Sequence, residues 1–481
     1  MVDILVENGT VITMNDDRDV IDAGAVAIDG GEVVAVGSTV ELADRYDAAQ
    51  VVDASGCAVL PGFISTHVHV SDILLRGGEK DRSLLDWLYN VKKPGVHAMT
   101  PAENAVAAAL YCQEAIQSGI TTFVENGTGA GNGYSPAAIE AKLNVYDHAG
   151  IRSVYAHGFS DRESSPAVER YIERLVDTEP TVDHYFPETE DTGDALDEVE
   201  SYIERYHGSA DGRQSVWPCP GVAWGVTPAG LRGAYELAEC HDVMTTTHAS
   251  ETVHEEMGHL STVEYLNSAD YLGERTLLGH CVHVDDRDIR LLSATDTRVA
   301  HNPVTNLALG SGIAPIPDLL SAGVTVGLGT DNTSGSDTVN MLTDLRFAAL
   351  IHKGSRRDPG AITAKKVLEM ATIDAARAIG READLGSLEP GKRADLLVLD
   401  LDYPHLVPHA DVACAVVYQA QGFEVETVIC DGTVVMESRT VHGIEERYPD
   451  LHETAAASAT DVLDRAGISG IETSWESISS T

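Results

Sequence analysis

Residues 60–69 read Leu60-Pro61-Gly62-Phe63-Ile64-Ser65-Thr66-His67-Val68-His69. The run opens on a Pro-Gly turn signal, continues as an apolar β-prone stretch and ends in two histidines two positions apart. Residues two apart in a strand share a face, so His67 and His69 project together while Val68 points the other way. Two imidazoles at the end of a buried strand form a two-nitrogen donor for a zinc-class metal. An isolated His-x-His is a common incidental pair, so the reading depends on what the rest of the chain sets beside it.

Three later runs end in the same manner. Val243-Met244-Thr245-Thr246-Thr247-His248 and Thr276-Leu277-Leu278-Gly279-His280 are β-rich and terminate in histidine, and Gly323-Val324-Thr325-Val326-Gly327-Leu328-Gly329-Thr330-Asp331 terminates in a carboxylate. In the last, Thr325, Gly327, Gly329 and Asp331 share one face and Val324, Val326 and Leu328 the other, as in a strand with a barrel interior on one side and helices on the other. Strand-like segments end near His69, Glu125, His157, Trp224, His248, His280, His301 and Asp331, with helical periodicity between them at 101–118, 229–240, 252–272 and 338–352. Eight strand–helix units fit a (β/α)8 TIM barrel, whose chemistry gathers at the C-terminal strand ends. A doubly wound sheet is the competitor on rhythm alone.

Short alternating strands separated by turns occupy the N-terminal segment, and the same pattern returns at 394–399 and 425–432. The predicted plan is a small β-sandwich domain built from both chain ends (1–57 and 384–444), a metal-dependent barrel (58–383) and an acidic C-terminal extension (445–481) with one helix near 460–466. The acidic stretch 179–200 reads as a solvated surface insertion.

The 481 residues are 43% hydrophobic and carry 76 acidic against 32 basic side chains, a formal net charge of -44. Sparse, unclustered Lys and Arg argue against nucleic acid and against anionic lipid as partners. Only eight residues are lysine, and this bias matches a carboxylate-rich surface adapted to high salt. No basic-then-apolar leader and no long apolar run is visible, so the expectation is a soluble cytoplasmic protein outside any membrane. Seven scattered cysteines without Cys-x-x-Cys spacing disfavour a disulfide framework or a cysteine zinc knuckle.

The motifs taken together resemble the amidohydrolase superfamily, in the branch of S-adenosylhomocysteine and methylthioadenosine deaminases and triazine hydrolases. They are Pro61-Gly62-Phe63 through His69, Leu74-Leu75-Arg76-Gly77 with Leu85-Asp86-Trp87-Leu88, Thr247-His248-Ala249-Ser250-Glu251-Thr252, Leu278-Gly279-His280-Cys281-Val282-His283, His301-Asn302-Pro303-Val304-Thr305-Asn306-Leu307 and Gly329-Thr330-Asp331-Asn332. The resemblance implies His67, His69, His248 and Asp331 as metal ligands, with Glu251 and His280 handling protons and orienting water, and Asp331 also accepting the water's proton. It implies one divalent ion, Zn2+ first with Fe2+ or Mn2+ as alternatives. The superfamily's binuclear members bridge two metals through a carbamylated lysine on strand four, and this chain has no lysine between Lys142 and Lys353.

The activity implied is deamination of an amino-substituted N-heterocycle with release of ammonia, adenosine-type substrates such as methylthioadenosine or S-adenosylhomocysteine first. Triazine-type chlorohydrolase or aminohydrolase and guanine-type deaminase are the alternatives, and a catalytically inactive barrel scaffold the remote one. Adenosine-type members carry a histidine in a Pro-His-Ser-Pro-like turn after strand four; here Ala223-Trp224-Gly225-Val226-Thr227-Pro228 has none. Trp87 and Trp224 are candidates to stack on a planar ring, against the plainer reading of packing under loops. Arg162 is a candidate for a carboxylate or ribose, against a surface ion pair. His157 is placed at the mouth, His301 at the seventh strand end, His283 at the surface or a helix start, and His254 and His259 on a solvated helix. The small-molecule heterocycle is the expected partner, in a homo-oligomer as is common in the branch.

Unscreened, a charge of -44 repels itself. The melting temperature and activity are expected to rise between about 0.1 M and about 2 M KCl; a melting temperature that stays level or falls across a scanning-fluorimetry series would remove the salt-adaptation reading.

Overall fold

Eight parallel strands run in chain order: Phe63–His69, Ile120–Gly127, Arg152–Phe159, Gln214–Pro220, Thr245–Ala249, Thr276–His280, Arg298–His301 and Val326–Leu328, the eighth resuming as Asp331–Asn332. They belong to a computed structural model that describes residues 1–78, 80–127, 134–162, 190–255 and 257–468. Strands one to four form one ladder and strands five to eight another. The arcs meet at two seams. Asp331 and Asn332 pair with Val68 and His69, and Val222 bridges His248, with Thr245 Oγ1 donating to the Pro218 carbonyl at 2.9 Å. The (β/α)8 barrel is thus completed through residues of the candidate site.

Local chemistry sets the helix starts. Thr100-Pro101, Ser135-Pro136 and Thr227-Pro228 open helices Pro101–Gln117, Pro136–Ala149 and Pro228–Cys240. In each, the hydroxyl accepts a first-turn N–H and the proline occupies a position whose N–H is not needed. The helix expected at 252–272 shrinks to Thr262–Ser268. Glu255 turns its carboxylate back onto the N–H groups of Ser250 and Thr252 and Gly258 is left-handed, so His254 and His259 lie in a loop.

Inside the barrel, Ile64, Val124, Val154, Ala156, Trp217, Leu277 and Ala300 form a buried cluster with Ala375, Ala376 and Ala378 of helix Ile373–Ala378. Because Val154 and Ala156 take the interior, alternation turns His157 outward, away from the mouth where it was expected. Its ring stacks on Tyr202 of helix Thr192–Tyr206 at 4.2 Å.

Nine strands from both chain ends share one hydrogen-bonded sheet. Val2–Ile12 pairs with Val20–Asp29 along its length, with Ala48–Asp53 through its first half and with Cys57–Pro61 through its second. Leu396–Asp400 pairs with Cys57–Pro61 and leads on to Val425–Cys430. Strand Cys57–Pro61 of this sheet extends past the boundary expected at residue 57. The C-terminal extension contributes helix Leu451–Ala466, longer than expected. It packs through buried Leu451, Ala455 and Val462, and Arg465 pairs with Glu103 at 2.6 Å. Of the acidic stretch 179–200, residues 179–189 lie outside the described residues, as do 469–481 of the extension.

Arg152, at the start of strand three, bridges Asp395 (3.2 Å) and Asp431 (3.1 Å) of the small sheet. Arg152→Ala leaves buried Asp395 without its cation, although Arg393 still faces Asp431 at 3.4 Å, and breaking a buried pair costs about 3–5 kcal/mol. Chemical denaturation is expected to show a loss of that order; a loss below about 1 kcal/mol would mean that the bridge behaves as a surface pair.

Candidate metal and catalytic centre

Strand one carries one residue more than strand two between the pairs Ser65 with Phe123 and Val68 with Glu125. Such a bulge re-aims side chains. Here Thr66 abuts Gly327 and His67 abuts Gly279 and Gly329. Glycine is needed at 329, where a Cβ would come within 2.4 Å of Asn302 Oδ1 and 2.9 Å of His67 Cβ.

Backbone carbonyls place the imidazole protons. His69 Nδ1 donates to the Asn126 carbonyl (2.9 Å) and His248 Nδ1 to the Gly221 carbonyl (2.7 Å). Each ring therefore turns an unprotonated Nε2 inward, and the two Nε2 atoms stand 3.1 Å apart. Lone pairs at that separation repel unless a cation lies between them. A proton is disfavoured, because burial and neighbouring positive groups hold both rings well below the ordinary histidine pKa.

The remaining donors converge on the same point. Asp331 Oδ1 is 3.3 Å from His67 Nε2 and 3.6 Å from His69 Nε2, and His67 Nε2 is buried without a hydrogen-bond partner among the described residues. Burial opposes ionisation of Asp331, but the His67 contact and the charge of His280 outweigh it and hold the carboxyl below its usual range. The ligating atoms of His67, His69 and Asp331 lie within 4.8 Å of one another, as do those of His67, His248 and His280. Neutral imidazoles plus one carboxylate suit a zinc-class divalent ion.

His280 contacts Asn306 Oδ1 through Nδ1 (3.0 Å). Its Nε2 has no hydrogen-bond partner among the described residues and lies 3.6 Å from Glu251 Oε2. Burial disfavours its charged form, yet the Glu251 and Asp331 carboxylates raise its pKa. Burial also pushes the Glu251 carboxyl up to about 7. Ser250, His280 and Asp331 are left-handed, with φ of 52°, 73° and 54°, a conformation that non-glycine residues adopt at a cost and that recurs at active sites.

A cleft of about 590 Å3 opens onto these groups, lined by Leu84, Leu85, Trp87, Leu88, Lys92 and Trp224 among others. Both tryptophans proposed from sequence therefore face it, Trp224 from the short turn Ala223–Gly225. Arg162 does not line it. Its Nη1 lies 3.3 Å from Tyr265 Oη and the guanidinium sits over that ring, because the Tyr265 face satisfies it outside the cleft. Among the other histidines, His283 Nε2 meets the Ser311 carbonyl at 2.8 Å. His301 meets His352 at 3.2 Å, under the seventh strand end. Three supporting residues escaped the sequence reading. Asn126 lies beside His67 Nδ1 at 2.9 Å, Glu255 ties the loop after strand five, and Lys92 projects to the cleft. Only Glu255 had a visible signal, its spacing of three from Thr252.

Histidine and carboxylate donors at the ends of strands one, five, six and eight of a barrel are the layout of a metal-dependent hydrolase. The family model described as "Amidohydrolase family" matches residues 58–435, and the chain belongs to that family. It is 33% identical over 494 residues to an S-triazine hydrolase of Gordonia rubripertincta, covering 100% of both chains. It is 33% identical over 451 residues to a 5-methylthioadenosine/S-adenosylhomocysteine deaminase of Pelotomaculum thermopropionicum, covering 93% of this chain and 96% of that one. The crystal structure of an adenosine deaminase from Xanthomonas campestris with bound zinc superposes with a TM-score of 0.81 at 25% identity, covering 97% of this chain and 99% of that one.

Asn126→Ala is expected to weaken metal binding about 10–100-fold, the usual effect of losing a supporting contact, and His248→Ala to abolish stoichiometric metal. Metal analysis after dialysis against graded chelator, with circular dichroism as the folding control, checks both. A folded His248→Ala protein that keeps its metal would remove that residue from the ligand set.

Proposed function

We propose that this chain is a mononuclear metal-dependent deaminase of amino-substituted N-heterocycles, with adenosine-type compounds such as methylthioadenosine and S-adenosylhomocysteine first among its substrates. The observation that carries the reading is Glu251. It is a buried carboxyl with a pKa raised to about 7, lining the same cleft as Asp331, Trp87 and Trp224. The relatives named for deaminating or hydrolysing rings of this class support it.

His67, His69, His248 and Asp331 would hold the ion. When bound there, a zinc-class ion supplies Lewis acidity that brings the pKa of water from about 16 towards 7. Asp331 takes the proton of the attacking water, and His280 Nε2, without a hydrogen-bond partner among the described residues, orients that water. Glu251 protonates the ring nitrogen as the adjacent amine-bearing carbon is attacked. The proton held by Asp331 then passes to the departing amine, and the hydroxyl proton of the adduct returns to Glu251 as the carbonyl forms, so one water enters and one ammonia leaves. Trp87 and Trp224 bracket the ring and, with Leu84, Leu85 and Leu88, exclude bulk water from the reacting carbon.

The absence of a histidine in the 223–228 turn favours a second reading, in which a triazine loses chloride or an alkylamine at the same centre. We further propose a cytoplasmic enzyme without nucleic-acid partners, which the excess of acidic over basic side chains supports, in a homo-oligomer as is common in the branch. Ammonia release and product analysis in molar KCl, over adenosine, methylthioadenosine, S-adenosylhomocysteine, guanine and chlorinated or N-alkyl triazines, separate the readings. Inactivity of metal-loaded protein on all of them would sink both. Glu251→Gln is expected to lower kcat by about 10²–10⁴ with metal content intact, and Asp331→Asn to abolish turnover in a folded protein; an active Asp331→Asn enzyme would end its proton-acceptor role.

A further inference from the structure

The cleft contains a cation that water activation does not use. Lys92 lines it together with His69, His248, Glu251 and Asp331 and is only 6% exposed. An ammonium has three donors. Among the described residues its one ion-pair partner is Asp72, at 3.4 Å, longer than the roughly 2.7–2.9 Å of a charge-assisted hydrogen bond. Asp72 is itself held from another side by Asn332 Nδ2 at 2.8 Å. Close by, 5.6 Å from the Lys92 Nζ, is the ring of Trp87, whose buried Nε1 has no acceptor among the described residues.

Both donors stand on one segment, helix Leu84–Trp87 continued by a π-helical turn over Leu88–Lys92. π-turns are rare and concentrate at functional sites. This one sits where Leu84, Leu85, Trp87, Leu88 and Lys92 all reach the cleft. Composition sharpens the point. A chain with eight lysines against 76 acidic residues keeps one of the eight inside its site, where a buried ammonium is costly unless an anion accompanies it.

We infer that Lys92, with the Trp87 N–H beside it, determines specificity by receiving an anionic group of the substrate: the ring to be deaminated carries a carboxylate or an ionised ring oxygen that docks on the Lys92 ammonium. The inference rests on the deaminase reading and narrows its substrate class. The contact is non-covalent. The anion supplies acceptors for the two ammonium protons not directed at Asp72, and the amine-bearing carbon is left facing Asp331 and Glu251.

Two matched pairs distinguish the sources of the charge: adenosine with adenosine-5′-carboxylate for a pendant carboxylate, and the diamino-oxo with the amino-dioxo triazine for a ring oxygen. Steady-state kinetics of metal-loaded enzyme at fixed KCl should give a lower KM for the anionic member of one pair. Lys92→Met should cut the anionic-to-neutral ratio of kcat/KM on the order of 10–100-fold, and Lys92→Arg should restore most of it. Turnover of the neutral members with the same ratio in wild type and Lys92→Met would overturn the inference and leave the deaminase reading standing. If no member of either pair is deaminated, calorimetric titration with uracil and uracil-6-carboxylate decides the matter for Lys92, and the wider substrate panel decides the deaminase reading. A carboxylate preference lost in Lys92→Met upholds its role, and equal affinities for the two ligands overturn it.

Discussion

The approach of His69 Nε2 to His248 Nε2, 3.1 Å apart with both ring protons committed to carbonyls, is the constraint around which the molecule is arranged. It is unfavourable without a positive charge between the rings, and burial makes a proton a poor source of that charge. The residues that enforce it also close the barrel. His248 bridges Val222 at the seam between strands four and five, and His69 pairs with Asn332 at the seam between strands eight and one. Metal affinity and barrel integrity are thus coupled through the same four strand ends, and folding supplies the work of bringing the nitrogens together.

Much of this was legible in the chain because strands have a period of two. His-x-His, the two β-runs ending in histidine and the small-residue face of 325–331 each follow from alternation, and the comparisons bear out the barrel they suggested. What alternation alone cannot show is its own interruption. The bulge in strand one re-aims Thr66 and His67, and it depends on the room left by Gly279, Gly327 and Gly329 on other strands. His157 was misplaced for the complementary reason: the parity of strand three is set by Val154 and Ala156 meeting the inner cluster, a tertiary fact. The helix expected over 252–272 kept its periodicity on paper but lost its first half to Glu255, whose carboxylate competes for the backbone donors that a helix would use. Lys92 was invisible because burial of a lysine is decided by what surrounds it.

The acidic composition has a counterpart in the interior. Buried Glu251 and Asp331 and half-buried Glu255 line one cleft, and buried Asp72 lies behind Lys92 and Asn332, a concentration that burial alone would neutralise by protonation. Three of them are tied. Asp331 faces His67 and His69, and Asp72 takes Asn332 and Lys92. Glu255 accepts the N–H groups of Ser250 and Thr252 and the Thr262 hydroxyl.

Glu251 is the exception. Among the described residues its carboxylate accepts no hydrogen bond, and its neighbour is His280 Nε2 at 3.6 Å. With no donor to stabilise the anion, burial pushes its pKa to about 7, whereas Asp331, in the same cavity but against the histidines, stays below the ordinary carboxylate range. Two carboxyl groups separated in this way by their surroundings can serve at one pH as a proton donor and a proton acceptor. The division of labour proposed for the reaction therefore follows from which carboxylate the fold has left without a partner.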